Sequence, residues 1–259
     1  MRLRHLGVPV TVALLLTALV SAQDAPARSA KVWDGRQAEF EAFLRTTPFL
    51  RLEEIPIGVT RPQRGFFVEG GLAASAAWKV LPPGRSKGYW ENYKSEIAAY
   101  ELDKLLGLGM VPPAVEKRWK GILGAAVLWL TDVRPWKEVE RLPRPATWDL
   151  QVVRMKMFDN LIGNADRNAG NLLVDHAWNL YLIDHSRAFI GDSKLPAEHQ
   201  RIDGVLWDKF LALDEASLAP VQKWVGGGAV RAMLKRRDRM KTVIAELVKK
   251  RTEAAVFIK

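Results

Sequence analysis

The sequence predicts an α+β fold of two lobes, a small β-rich one followed by a helical one, with a cleft between them. Three observations carry this. Apolar, β-prone runs bounded by turn residues occupy 64–81 and 124–131. Helical periodicity takes over from Trp148 and ends in a long apolar stripe over 229–250. The chain of 259 residues, 48% hydrophobic, is also long enough to bury a core in each lobe.

The amino terminus carries an address rather than a fold element. Arg2, Arg4 and His5 precede the apolar run Val8–Val20, and Val20-Ser21-Ala22 offers the small residues a signal peptidase needs. Residues 1–22 therefore read as a signal peptide cut near Ala22, and the mature chain is expected to be secreted or periplasmic. Retention of the segment as an anchor is the alternative reading, although the run is short for a membrane span. The absence of cysteine excludes a disulfide scaffold, thiolate chemistry and Cys-ligated zinc. The formal charge of +10, of which Arg2 and Arg4 contribute two, suits anionic partners. For an exported chain, nucleic acid is not expected among them.

Residues 23–50 form an N-terminal extension: a small, polar leader, then a short helix over Gln37–Leu44 with Phe40, Phe43 and Leu44 on one face. The first lobe is expected over 51–133. Arg64–Glu69, a Gly70-Gly71 turn and Leu72–Leu81 read as a hairpin, because a glycine pair supplies the positive φ of a tight turn. Pro82-Pro83-Gly84 ends its second strand. Trp90–Leu106 is a helix with Gly107 placed as its C-cap. Val111-Pro-Pro-Ala-Val115 is extended, since proline disfavours helix in the residue before it. Gly124–Thr131 is a buried strand. The second lobe is expected over 134–259. It opens with a helix at Trp148–Leu161, followed by two short strands, Leu172–Val174 and Leu180–Ile183, around the turn Asp175–Asn179.

The chemistry concentrates in Asn160-Leu-Ile-Gly-Asn-Ala-Asp-Arg-Asn-Ala-Gly-Asn171 and Leu180-Tyr-Leu-Ile-Asp184. A helix delivers a polar loop holding Asp166 and Asn171, and a hairpin returns to place Asp184 at its end. Mg²⁺ prefers oxygen and takes only one or two protein ligands beside phosphate and water, a part that Asn171 and Asp184 fit. Asp166, not needed by the metal, can orient or deprotonate an attacking hydroxyl. Phosphoryl transfer needs this equipment together with a cation for the phosphates. Lys79, inside the apolar strand Ala76–Leu81, is that cation, and Glu96 on the following helix is the favoured carboxylate to hold it. Glu91 and Glu101 are the alternatives. His185 stands next to Asp184, whereas His176 reads as a turn residue.

Asp166-Arg167-Asn168-Ala-Gly-Asn171 with Asp184-His185-Ser186 resembles the core of the atypical kinases: the phosphatidylinositol 3-/4-kinase group, bacterial HipA-type kinases and secretory-pathway kinases of family 20. Glu96 to Pro113, a helix running into Leu-Gly-Leu-Gly-Met-Val-Pro-Pro, adds to the likeness. Ile57-Gly-Val-Thr-Arg-Pro62 is similar to the phosphate-covering loop of the bacterial relatives, which implies contacts from Gly58 and Thr60. The resemblance covers roughly residues 50–250. It implies a bilobal kinase-like fold, ATP and Mg²⁺ as cofactors, and transfer of the γ-phosphate to a hydroxyl on a protein, sugar or lipid. One position departs from the pattern: the family usually has histidine where Asn168 stands. An amide exchanges no proton near neutral pH, so a pseudokinase acting through a partner is the alternative. The basic carboxy-terminal helix, with Lys235-Arg236-Arg237 and Lys249-Lys250-Arg251, offers a membrane-surface contact.

Overall fold

The computed structural model describes residues 29–56, 62–86 and 89–258. The signal segment, Gly58 and Thr60 lie outside the described residues.

The chain enters through a strap at residues 29–36 and the helix α1 (Gln37–Thr46). Strands β1 (Arg51–Glu54), β2 (Gln63–Phe66) and β3 (Ser75–Lys79) follow, then a small hairpin of β4 (Gly84–Ser86) and β5 (Tyr89–Glu91). Helix α2 (Lys94–Leu106) leads to β6 (Ala114–Trp119) and β7 (Ile122–Leu128). The first-lobe sheet is antiparallel in the order β1-β2-β3-β7-β6. Both of its faces are covered, so the central strands are apolar throughout rather than alternating. Ala76 and Trp78 of β3, with Ala126 and Leu128 of β7, pack under the strap and α1 against Trp33, Phe40, Leu44 and Phe49. Ala77, Ala125 and Val127 face the other way, towards α2 and the second lobe. Side chains alternate along a strand, so Lys79 shares the face of Ala77.

The helix read as starting at Trp90 begins instead at Lys94. Tyr89-Trp90-Glu91 is drawn into pairing with Gly84–Ser86, and the Asn92 side chain accepts from the Lys94 amide at 2.9 Å where the helix starts. Gly107 ends α2 in the left-handed conformation at φ 63°, as its position predicts.

The second lobe runs through β8 (Val133–Pro135), α3 (Trp136–Val139) and α4 (Trp148–Ile162) to a short 3₁₀ turn at Ala169–Asn171. Strands β9 (Leu172–Asp175) and β10 (Leu180–Leu182) form the expected hairpin, with β8 on its outer edge. Then come β11 (Ile202–Asp203), α5 (Gly204–Leu211), α6 (Ala219–Lys250, broken at Gly226), α7 (Glu253–Val256) and β12 (Phe257–Ile258). The apolar stripe of α6 buries Val230, Met233, Met240 and Ile244 in the core shared with α2 and α4. Arg236 of the basic trio points inward and is fully buried, donating to the carbonyls of Leu161, Ile190 and Asp192. Arg237 donates to the Leu213 carbonyl. No helix among the described residues is long and apolar enough to cross a membrane.

Candidate active site

The site lies where the inner face of the first-lobe sheet meets the β9–β10 hairpin. Lys79, at the end of β3, reaches across the face that Ala77 and Ala125 leave low. Its Nζ donates to Glu96 Oε1 at 2.6 Å and to Asp184 Oδ1 at 2.9 Å, so one ammonium bridges the lobes. Glu96, in the first turn of α2, is only 2% exposed, and its carboxylate also accepts from the His185 amide at 3.1 and 3.2 Å. Of the three glutamates weighed as partners for Lys79, Glu96 takes the place. Glu101 pairs with Lys104, and Glu91 turns to Arg187.

The electrostatics follow from this geometry. Burial works against the Lys79 ammonium, but the Asp184 and Glu96 carboxylates outweigh it and hold its pKa above the ordinary lysine value. Lys79 in turn is the main cause that holds the Asp184 carboxyl well below the usual carboxylate range, against burial. Burial pushes Glu96 up, and Lys79 together with His185 outweighs it, for a net lowering. All three groups are charged at neutral pH.

The strand ladder brings the second lobe's groups into register. Leu182 pairs with Leu172, and the Ile183 amide donates to the Asn171 carbonyl at 3.1 Å, which extends the pairing by one residue. Asp184 follows directly, in the left-handed conformation at φ 61°. That conformation is uncommon outside glycine, and here it accompanies the bond from Lys79. Arg167 braces the loop from behind. It forms a two-pronged pair with Asp159 at 2.9 and 3.0 Å and donates to the carbonyls of Asn171 and Ile183 at 3.1 and 2.7 Å. A guanidinium only donates, so the 2.9 Å contact from Arg167 makes His185 Nε2 an acceptor and puts the ring proton on Nδ1, facing Glu96. Burial lowers the His185 pKa, and the ring is neutral and structural.

Asp166 lies at the mouth of the site, 39% exposed, with Oδ2 accepting from Arg187 at 3.2 Å. The Asn171 amide group donates to the Asp166 carbonyl at 3.1 Å, which leaves its oxygen end to serve as a ligand. Asn168 spends both ends of its side chain locally. Its oxygen accepts from the Gly170 amide at 2.9 Å and caps the 3₁₀ turn, while its NH₂ donates to the Asp166 carbonyl at 3.0 Å. His176 is exposed in the β9–β10 turn, away from the site. Among the described residues, no group of three or more histidine, aspartate and glutamate side chains is placed to hold a metal. One carboxylate and one amide oxygen remain as hard donors, a set that matches a cation taking its other ligands from phosphate and water.

Two residues at the site had no sequence signal of their own. The sequence offers Glu91 only as an alternative partner for Lys79, and nothing in it marks Arg187. They pair at 2.9 Å although 96 positions separate them.

Comparison with solved structures finds this fold in the Golgi casein kinase with Mn and ADP bound. The two share 14% identity and a TM-score of 0.66, over 87% of this chain and 79% of that one. A Fam20 protein of hydra, solved with sugar, matches at 15% identity and a TM-score of 0.63, over 87% of this chain and 93% of the other. No family model and no curated protein matches the sequence. The chain therefore has the bilobal kinase-like fold, with a small β-rich lobe and a helical one. The resemblance to the atypical kinases read from Asp166 to Asp184 holds at the level of the fold.

Proposed function

We propose that the protein is an ATP-dependent kinase-like phosphotransferase that acts outside the cytoplasm on a hydroxyl acceptor. The observation that carries this is the Lys79 ammonium held between Glu96 at 2.6 Å and Asp184 at 2.9 Å across the two lobes. A lysine fixed in this way presents charge to nucleotide phosphates without having to be ordered at the moment of binding. Asn171 and Asp184 would hold Mg²⁺, which neutralises the phosphate charge when bound. Asp166 orients or deprotonates the acceptor hydroxyl. The resemblance assigns phosphate contacts to Gly58 and Thr60, and residues 51–133 and 134–259 are taken as the two lobes. Solved neighbours named as kinases, one with Mn and ADP bound, support nucleotide and divalent metal as cofactors.

The acceptor is a protein, sugar or lipid, reached after cleavage of residues 1–22. A membrane-surface contact through α6 would rest on exposed Lys235, Lys249 and Lys250, since Arg236 is committed inward. The test is transfer of labelled phosphate from ATP to candidate acceptors by wild type and by Asp166→Ala. Transfer is expected for the wild type, with a loss of at least about a hundredfold in the variant. Equal transfer by both proteins would remove Asp166 from the chemistry.

A second reading, a pseudokinase that binds nucleotide and acts through a partner, is favoured by Asn168. Its side chain is fully used as a turn cap and exchanges no proton. Nucleotide binding without transfer to any acceptor would support it.

A further inference from the structure

Two triplets of carboxylate, cation and carboxylate each tie the first lobe to the second. In the first, Glu96 and Asp184 share Lys79. In the second, Glu91 and Asp166 share Arg187. The Arg187 Nε and Nη2 donate to Glu91 Oε1 at 3.0 and 2.9 Å, and its Nη1 donates to Asp166 Oδ2 at 3.2 Å. We infer that Arg187 is the cation that meets the terminal phosphate of the nucleotide, and that it sets the preference of the cleft for a nucleoside triphosphate over a diphosphate. This rests on the phosphotransferase reading above.

The position of Arg187 argues for this role. The group in transit must lie between the metal-binding end of the site, at Asp184, and the acceptor end, at Asp166. Arg187 follows Asp184 by three residues in sequence, touches Asp166 directly and feels the charge of Asp184 as well. Lys79 is bound to the opposite end, against α2. The two edges of the guanidinium are also held differently. Glu91 is 5% exposed and anchors one edge in the protein, whereas Asp166 is 39% exposed and the bond it makes to Nη1 lies where a solvent-side group can exchange with it. The Nη1 edge can therefore trade the Asp166 oxygen for a phosphate oxygen while Glu91 keeps the side chain in place. Such an exchange also releases the Asp166 carboxylate towards the acceptor. A planar fork that never loses its proton suits the charge spread over the equatorial oxygens of a phosphoryl group in transfer.

The test needs no turnover. Titration calorimetry of the purified full chain with MgATP and with MgADP is compared for wild type, Arg187→Ala and Arg187→Lys, with a thermal melt of each. The alanine variant is expected to weaken MgATP by about tenfold or more while MgADP changes by less than about twofold, the loss of a charge-assisted contact to one phosphate only. The lysine variant keeps the charge without the fork and is expected to lose about threefold or more of the preference for ATP. Should the alanine variant fail to fold, the lysine variant decides. Equal weakening of both nucleotides, or an unchanged ratio, overturns the role of Arg187 and leaves the nucleotide site standing. A wild type that binds neither nucleotide overturns the phosphotransferase reading and this inference with it.

Discussion

A buried lysine at the end of an apolar strand is costly unless its charge is met, and at Lys79 two carboxylates from different lobes meet it. Replacing it with methionine leaves Glu96 buried and Asp184 without its main partner. The expected cost is about 3 kcal/mol, read by denaturant unfolding, together with loss of nucleotide affinity. Acid should act on the same cluster. The folded-state values of Glu96 and Asp184 lie below their unfolded ones, so their contribution is present above the ordinary carboxylate range and is lost as pH falls below that range through the lowered folded values. Lys79 has a raised value, so its contribution is full below the unfolded lysine pKa and goes only at strongly alkaline pH. His199 adds a milder acid dependence. Burial pushes its pKa down to about 4, its Nε2 meets the Asn160 amide group, and its Nδ1 has no partner among the described residues. Because the fold disfavours the protonated ring, stability is full above the unfolded value and declines as pH falls from about 6.5 towards 4. The drop in Tm between pH 7 and pH 4.5 should shrink in His199→Gln. An unchanged drop would show that the ring is not responsible. Asp103 runs the other way, since burial pushes its carboxyl up to about 7 and its contribution fades as pH rises through that value.

At the scale of elements, two buried cations fasten helix ends to the site's framework. Lys117 of β6 is 3% exposed and donates to the carbonyls of Leu44 and Thr47 at 3.0 and 2.5 Å, closing the end of α1. Lys117→Met should cost about 2 kcal/mol by leaving those carbonyls unmet, and hydrogen exchange should accelerate in 37–46 before the rest of the lobe. Gly163 ends α4 at φ 67°, and a Cβ there would stand 2.8 Å from the Arg236 guanidinium. Gly163→Ala should therefore lose roughly 2 kcal/mol or more, from strained backbone and displacement of Arg236 together, as measured by chemical unfolding. A neutral result would mean that the loop behind Asp166 tolerates movement of its support. These elements also mark what the sequence could tell. Periodicity located α4 and the apolar half of α6, because each buries one face against a single core, whereas the β9–β10 hairpin shows as two short apolar runs because both of its faces are packed. It could not say that the Phe40 and Leu44 face of residues 23–50 closes the outer side of the sheet, since a stripe does not name the surface it covers. It also missed the β4–β5 hairpin, whose pairing decides where α2 begins. Lys79 and Asp184 were legible because charge in apolar strands is conspicuous. Arg187 lies in an irregular segment and finds Glu91 by tertiary contact alone.

For the whole molecule, the Lys79 bridge and the Arg187 bridge are two of the polar ties between the lobes, and a ligand that engages both lobes should stabilise the fold. MgATP at about a hundred times its dissociation constant should raise the melting temperature by roughly 5–10 °C, and ATP without Mg²⁺ by much less. A rise that is the same with and without Mg²⁺ would remove Asn171 and Asp184 from metal binding. The most direct measurement of the central claim is calorimetric titration of MgATP into wild type and Asp184→Asn. Saturable binding by the wild type, weakened by about tenfold or more in the variant, is predicted, since the variant removes the charge that faces Lys79 and that the proposed function assigns to the metal. Equal affinities, or no binding by the wild type, would contradict the account.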